Sequence, residues 1–259
     1  MHPILFQIGP LVVGSYGAAV VFAAFVGWLL LPRYARRAGI DPSHARDLMV
    51  QVFVAGTIGC RLANILLRLD EVIANPRLGL WLLQQAGVWY GAVLGGLGVG
   101  LVLVRRYRLP LWRTFDAAAI PVVVGGGLGR LACLLSGCCF GTACSMPWAL
   151  TYTNAVAHKI HADLPWTPVH PTPLYEMAAA LAIALFLEFY GRRPRLPGTI
   201  GLLWLMLYGT ARAGIEFFRG DLVRGTVLGV MSTSQALGLL TAAVAAGVLL
   251  YRRRRRRLE

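Results

Sequence analysis

Seven apolar runs constrain this chain more than anything else in it. They cover residues 11–31, 48–67, 79–104, 114–135, 172–190, 197–217 and 226–251 of 259. Each is close to or above the roughly 20 residues that a helix needs to cross the hydrocarbon core of a bilayer. A single run of this kind also suits a buried helix of a soluble protein. Seven of them leave too little polar sequence to cover a soluble surface. Only 14% of the residues are charged, against roughly a quarter in a soluble domain. The expected architecture is all-α: a polytopic integral membrane protein of about seven transmembrane helices. It forms a single transmembrane domain over residues 1–259, with a small ordered outer-face segment at about 136–171.

The formal net charge is +14. Its placement points to membrane topology and away from nucleic acid as a partner. Arg33, Arg36, Arg37 and Arg46 follow the first run, and Arg105, Arg106, Arg108 and Arg113 the third. Arg192, Arg193 and Arg195 follow the fifth, and Arg252 to Arg257 the seventh. The alternate loops hold only Arg68, Arg77, Lys159, Arg219 and Arg224. Basic loops stay inside, so the N-terminus is expected outside and the C-terminus inside. The final arginine run anchors that topology and is also suited to anionic lipid headgroups. The first residues do not read as a cleavable signal, having no basic segment before the apolar run.

Charge inside the runs is the next constraint. Arg61, Arg130 and Arg212 lie at span depth, with Asp116, Glu176, Glu188 and Glu216 in the spans or near their ends. Ionisable groups in a membrane usually face an interior cavity. A structural reading makes them ion pairs that fix helix packing. A functional reading starts from the excess of arginine: buried cations want an anion, and in a bilayer the abundant one is a lipid phosphate. A guanidinium binds phosphate through two parallel hydrogen bonds. Gly125, Gly126, Gly127 and Gly129 around Arg130 admit either a ligand or a neighbouring helix at close range. Gly91, Gly95, Gly96, Gly98 and Gly100 in the third run are expected to serve helix packing.

Six segments, in order, resemble the prolipoprotein diacylglyceryl transferase family. They are FQIGPLVVGSYG (6–17) with Tyr16, GCRLANIL (59–66) with Arg61, RTFDAAAIP (113–121) with Asp116, GLGRLACLLSG (127–137) with Arg130, HPTPLYE (170–176), and YGTARAGIEFFR (208–219) with Arg212, Glu216 and Arg219. The resemblance implies a multi-pass enzyme of the bacterial inner (cytoplasmic) membrane, surrounded by membrane lipids. It would move a diacylglyceryl group from phosphatidylglycerol, or another anionic phospholipid, to a cysteine thiol of a preprolipoprotein or another thiol acceptor. Glycerol-1-phosphate would leave, and no metal or redox cofactor is implied. Charge develops on the departing phosphate, so arginines aimed at it are electrostatic catalysts. Arg130 and Arg212 are the expected phosphate clamp, with Glu216 and Arg219 orienting groups beside it. Tyr16, Arg61, Asp116, Ser136, Cys138, His170, Tyr175 and Glu176 are the expected substrate-binding residues.

Two departures from the family pattern stand out. Where its transferases carry a histidine in a His-Gly-Gly element, this chain has Tyr90 within VWYGAVLGG (88–96). A phenol with a pKa near 10 is a weak base at neutral pH, and Tyr90 is the expected catalytic residue at that place. The signature is also altered. Its asparagines, glutamate and second arginine give way to Cys133, Ser136, Cys138, Cys139 and Thr142. With Cys144, four cysteines cluster after the fourth run. One or two disulfides, a metal site completed by His158 and His161, a reactive thiol and free buried thiols are the readings left open. The alternatives for the whole protein are a paralogue with a phospholipid donor but a non-lipoprotein acceptor, a membrane thiol oxidoreductase, and a non-catalytic lipid-binding protein.

Overall fold

The computed structural model describes residues 2–9, 11–84, 87–220, 226–227 and 231–258. A short antiparallel hairpin, β1 (Ile4–Ile8) and β2 (Leu11–Gly14), precedes the helices. The long helices are α1 (Ser15–Arg37), α2 (Pro42–Leu66), α5 (Trp89–Arg106), α6 (Leu111–Ser136), α8 (Thr172–Tyr190), α9 (Thr199–Ile215) and α10 (Thr233–Leu258). The short ones are α3 (Leu69–Ala74), α4 (Pro76–Gln84) and α7 (Ala155–Ile160). A two-residue pairing of β3 (Thr226–Val227) with β4 (Met231–Ser232) leads into α10. Among the described residues, α1, α2, α6, α8 and α10 are long and apolar enough to cross a membrane. The other two expected spans contain helices of 18 and 17 residues, α5 and α9.

Large apolar side chains stand exposed along these helices: Phe22 and Phe25 on α1, Ile58 and Leu62 on α2, Leu94 on α5, Leu185 and Phe189 on α8, and Leu240 on α10. A soluble monomer does not present such continuous apolar surface. Lipid tails are the solvent that makes it stable.

Three expected boundaries change. The first run begins as a strand, and its helix starts only at Ser15, where the buried hydroxyl and the backbone N–H both donate to Pro3 O (3.1 and 2.9 Å). The run at 79–104 is not one helix. α4 ends at Gln84, and Val88 is extended, its N–H donating to Cys60 O at 2.9 Å. A Cβ on Gly87 would stand 2.6 Å from that same carbonyl, so the chain crosses α2 too closely for any larger residue. The seventh helix starts at Thr233, not at 226, because Ser232 and Gln235 cap it, as described below.

The chain divides into two compact units, Met1–Leu30 with Phe115–Glu259, and Leu31–Thr114. In the second unit α2 packs on α5 through small residues. A Cβ on Gly59 would stand 2.4 Å from Gly91 O, and one on Gly95 2.7 Å from Ala55 O. Backbones meet directly here, as expected for the third-run glycines, although Gly98 faces open space. In the first unit, α9 and α10 meet in the same way at Gly209 and Gly238. Residues 137–171 form an ordered cap on this unit. Its small core is Phe140, Tyr152, Ala157, Leu164 and Val169. Burial of the Tyr152 phenol within that core raises its pKa.

Candidate active site

The lone cation in the fourth run, Arg130, sits near the C-terminal end of α6. Its Nη2 lies 2.5 Å from Glu176 Oε2 in the first turns of α8, and also donates to the Tyr208 hydroxyl of α9 at 3.5 Å. Glu176 faces a second cation, Arg219 Nη1, at 3.1 Å from its Oε1. Arg219 reaches on through Nε to Glu216 Oε2 at 3.8 Å. Glu216 also pairs with Arg212 one helical turn earlier, and its Oε1 accepts from Ser232 Oγ at 2.9 Å. The result is a continuous chain: Arg130, Glu176, Arg219, Glu216, Arg212. Three guanidiniums share two carboxylates.

Burial grades this chain. The Arg219 side chain is 3% exposed, Arg212 11% and Arg130 25%. The expected excess of arginine over acid holds within the cluster, with both carboxylates shared: Glu176 faces Arg130 and Arg219, and Glu216 faces Arg212 and Arg219. The ion-pair and anion-site readings meet here. The acids hold the guanidiniums in place against their desolvation, and Arg130 keeps an accessible side. Two of the neighbouring glycines serve packing. A Cβ on Gly125 would stand 3.1 Å from Ala23 O, and one on Gly127 2.7 Å from Ala180 Cβ, while Gly126 opens to free space.

Local sequence explains how α10 contributes. Ser232 Oγ accepts from Gln235 N at 3.1 Å, and Gln235 Oε1 accepts from Ser232 N at 3.0 Å. This reciprocal pair is a capping box. It frees the Ser232 hydroxyl hydrogen for Glu216. Ser232 and Tyr208 were not among the expected site residues. The S-x-x-Q spacing at 232–235 was the available signal for Ser232, and the position of Tyr208 at the head of the YGTARAGIEFFR segment was the one for Tyr208.

The other expected residues divide by place. Tyr16, in the first turn of α1, lies within electrostatic reach of Arg130 and of Cys133, Cys138 and Cys139. His170 Nδ1 is 3.0 Å from the Tyr175 hydroxyl, and Trp148 Nε1 donates to that hydroxyl at 2.8 Å. Ser136 Oγ lies 3.3 Å from Cys138 Sγ. Asp116 lies elsewhere. Its carboxylate accepts from Gly198 N (2.6 Å) and Gly201 N (2.9 Å), capping the N-terminus of α9. It stands about 21 Å from Arg130 along α6, at 1.5 Å per residue. Arg61 and Tyr90 belong to the second unit. Arg61 Nε donates to Leu83 O at 2.7 Å, in the last turn of α4. Tyr90 lies in the first turn of α5, about half exposed.

All five cysteines are free. Cys133, Cys138 and Cys139 bring their sulfurs within 4.8 Å of one another. Among the described residues, neither His158 nor His161 joins them. The His158 ring nitrogens instead face Tyr152 O (2.7 Å) and Leu164 O (3.1 Å), and the ring stacks on Trp166. Hydrogen bonds from Cys133 and Cys138, with the Arg219 guanidinium beyond them, favour the thiolate of Cys139. Hydrogen bonding to Cys133 and Cys139, with burial, pushes the Cys138 thiol up.

The family model described as prolipoprotein diacylglyceryl transferase matches residues 3–251 of this chain. A Clostridium tetani protein named phosphatidylglycerol–prolipoprotein diacylglyceryl transferase is 29% identical over 246 residues, covering 94% of this chain and 95% of its own. Proteins of the same name from Trichormus variabilis and Synechococcus elongatus are 28% and 30% identical. They cover 98% and 95% of this chain, and 91% and 85% of their own.

Proposed function

The chain belongs to the prolipoprotein diacylglyceryl transferase family, and from that premise we propose that the Arg130 cluster is where a phospholipid loses its headgroup to a cysteine thiol. The donor is phosphatidylglycerol and the acceptor the cysteine of a prolipoprotein, as the names of the relatives state for those proteins. The site lies in the bacterial inner membrane. The thiol sulfur attacks the glyceryl carbon that carries the phosphate ester. A C–S bond forms, the C–O bond breaks, and the thiol proton is lost. Glycerol-1-phosphate departs with the bonding electrons.

One observation carries this reading: Arg130 is the most exposed guanidinium of a chain whose other members are buried and mutually paired. Arg130 meets the ester phosphate and stabilises the charge that grows on it. Glu176 and Tyr208 hold its fork in position. Arg219 and Glu216 hold Glu176, and Arg212 anchors the far end. These act through Arg130 and are positioning residues, which refines the expectation of a two-arginine clamp. Tyr16 and the Tyr175–His170 pair border the substrate. Tyr90 stands at the family's histidine position, in the second unit.

The test is transfer itself. Purified protein in detergent is given phosphatidylglycerol and a lipobox peptide with one cysteine, and the peptide is weighed by mass spectrometry. The expected result is a diacylglyceryl mass gain that falls 10²–10³-fold in Arg130→Lys, the size of loss for one electrostatic donor. Full activity in Arg130→Lys would refute the assignment of Arg130. A second reading rests on Tyr90 and the cysteine-bearing signature: the same donor with a different acceptor. No gain on the peptide, with a lipid species missing from a deletion strain, would favour it.

A further inference from the structure

The three clustered cysteines have no part in the transfer described above. Their convergence is built by the backbone. Gly137 has φ +84° and Cys139 φ +61°. Two left-handed residues within three positions turn the chain sharply after α6. That turn folds Cys138 and Cys139 back over Cys133 of the preceding helix. Glycine adopts this conformation without strain, whereas a cysteine held there is costly and marks a position whose side chain is used. Thr172 Oγ1 donates to Cys139 O and fixes the turn from α8. Cys133 is 7% exposed. Arg219 hydrogen-bonds Cys139 and supplies positive charge behind it.

We propose that Cys133, Cys138 and Cys139 form a three-thiolate site for a soft, thiophilic metal cation, of which Cu(I) fits best. Three thiolates around one metal at about 2.3 Å place their sulfurs about 4 Å apart. The observed sulfurs, all within 4.8 Å of one another, need only a small contraction. Thiolate sets select Cu(I) and zinc over harder ions. Zinc asks for a fourth ligand, and among the described residues no histidine, carboxylate or further cysteine joins the three. Trigonal coordination without a fourth donor suits Cu(I). Each of the three thiols gives up its proton as the metal binds, and no electron changes hands. The adjacent Arg219 offsets part of the negative charge of the filled site.

The test uses the full-length protein, purified anaerobically in detergent and titrated with Cu(I) delivered as its acetonitrile complex. The expected result is one Cu(I) per chain, with three sulfur neighbours by X-ray absorption. Cu(I) should shield three of the five thiols from alkylation, mapped by mass spectrometry to Cys133, Cys138 and Cys139. Cys139→Ser should weaken binding by at least about 100-fold against a chromophoric chelator, beyond the usual cost of a lost supporting contact. Cys60→Ser and Cys144→Ser should bind as the unmodified protein does. Absence of stoichiometric uptake would overturn the proposal. So would protection of other cysteines, or a disulfide among the three in freshly purified protein. If Cys139→Ser fails to fold, the alkylation map and absorption spectrum of the unmodified protein decide the matter alone.

Discussion

Replacing Glu176 by glutamine removes the carboxylate that faces both Arg130 and Arg219, from a side chain only 2% exposed. Replacing Arg219 by glutamine leaves each carboxylate with one guanidinium, Glu176 with Arg130 and Glu216 with Arg212. The two changes should therefore differ in cost. Glu176→Gln is expected to destabilise by about 3–5 kcal/mol, the cost of breaking a buried pair. Arg219→Gln is expected to cost about 1–3 kcal/mol, that of charged hydrogen bonds lost with compensation nearby. Denaturant titration in a fixed detergent measures both, and equal costs would show that the cluster is not wired as described. Tyr90 makes a separate prediction. Tyr90→Phe should lower the rate of transfer. Tyr90→His should give an enzyme whose rate rises with pH through about 6.5, because an imidazole accepts a proton only when neutral. A flat pH profile with full activity in Tyr90→Phe would remove the phenol from the chemistry. Arg130, Arg212, Glu176 and Glu216 were legible in the sequence because a charge inside an apolar run stands out. Tyr208 was legible only as the head of a family-like segment, because a tyrosine in an apolar run does not stand out by itself. Asp116 was visible as an acid, but its partners, Gly198 N and Gly201 N, lie more than 80 positions away and are backbone groups that leave no trace in composition.

The start of α10 joins an element's stability to the site. Ser232 caps the helix and donates to Glu216 with the same hydroxyl, so one atom group sets both the helix register and the acid's orientation. Ser232→Ala should cost about 1–2 kcal/mol of stability as a lost cap and should also lower transfer activity. Gln235→Ala removes the reciprocal half of the box and leaves the Glu216 contact available. It should reduce stability while preserving most of the activity, a split that melting curves and turnover numbers from the same samples would reveal. Hydropathy placed α6 and α8 within three residues of their observed ends, because their lipid-facing length and their apolar length coincide. It failed at 79–104 and at 226–233. Both places lie inside mainly apolar windows, and the helix boundary is set instead by a backbone contact at Gly87 and by a polar cap at Ser232. Neither changes the mean apolarity of a window.

Within the unit formed by Met1–Leu30 and Phe115–Glu259, hydrogen bonds and an ion pair assign both ends of α6, α9 and α10 and the start of α8 to one of two levels. Asp116 at the start of α6 binds the start of α9, and Arg252 Nη2 near the end of α10 donates to Pro197 O at 3.0 Å. Arg192, Arg193 and Arg195 lie in the same α8–α9 connection. The end of α6 meets the start of α8 through Arg130 and Glu176, and the end of α9 meets the start of α10 through Glu216 and Ser232. The cap at 137–171 and Tyr16 belong to this second level. Arginine therefore accumulates beyond one set of helix ends, while the paired acid–arginine cluster and the cap occupy the other. The basic level should face the cytoplasm, which puts the cap and the cluster on the outer side, where an exported prolipoprotein presents its cysteine. A fluorescent protein fused after Glu259 should fold and fluoresce, and alkaline phosphatase fused there should be inactive. Phosphatase inserted in the cap between Asp163 and Leu164 should be active. Replacing Arg252 to Arg257 by glutamine should leave both readouts unchanged, because Arg192, Arg193 and Arg195 hold the same level. Replacing both groups should lower cap-phosphatase activity by mixing orientations. Reversed reporters in the unmodified protein would place the cluster on the cytoplasmic side, and the acceptor would then have to be a thiol that never leaves the cell.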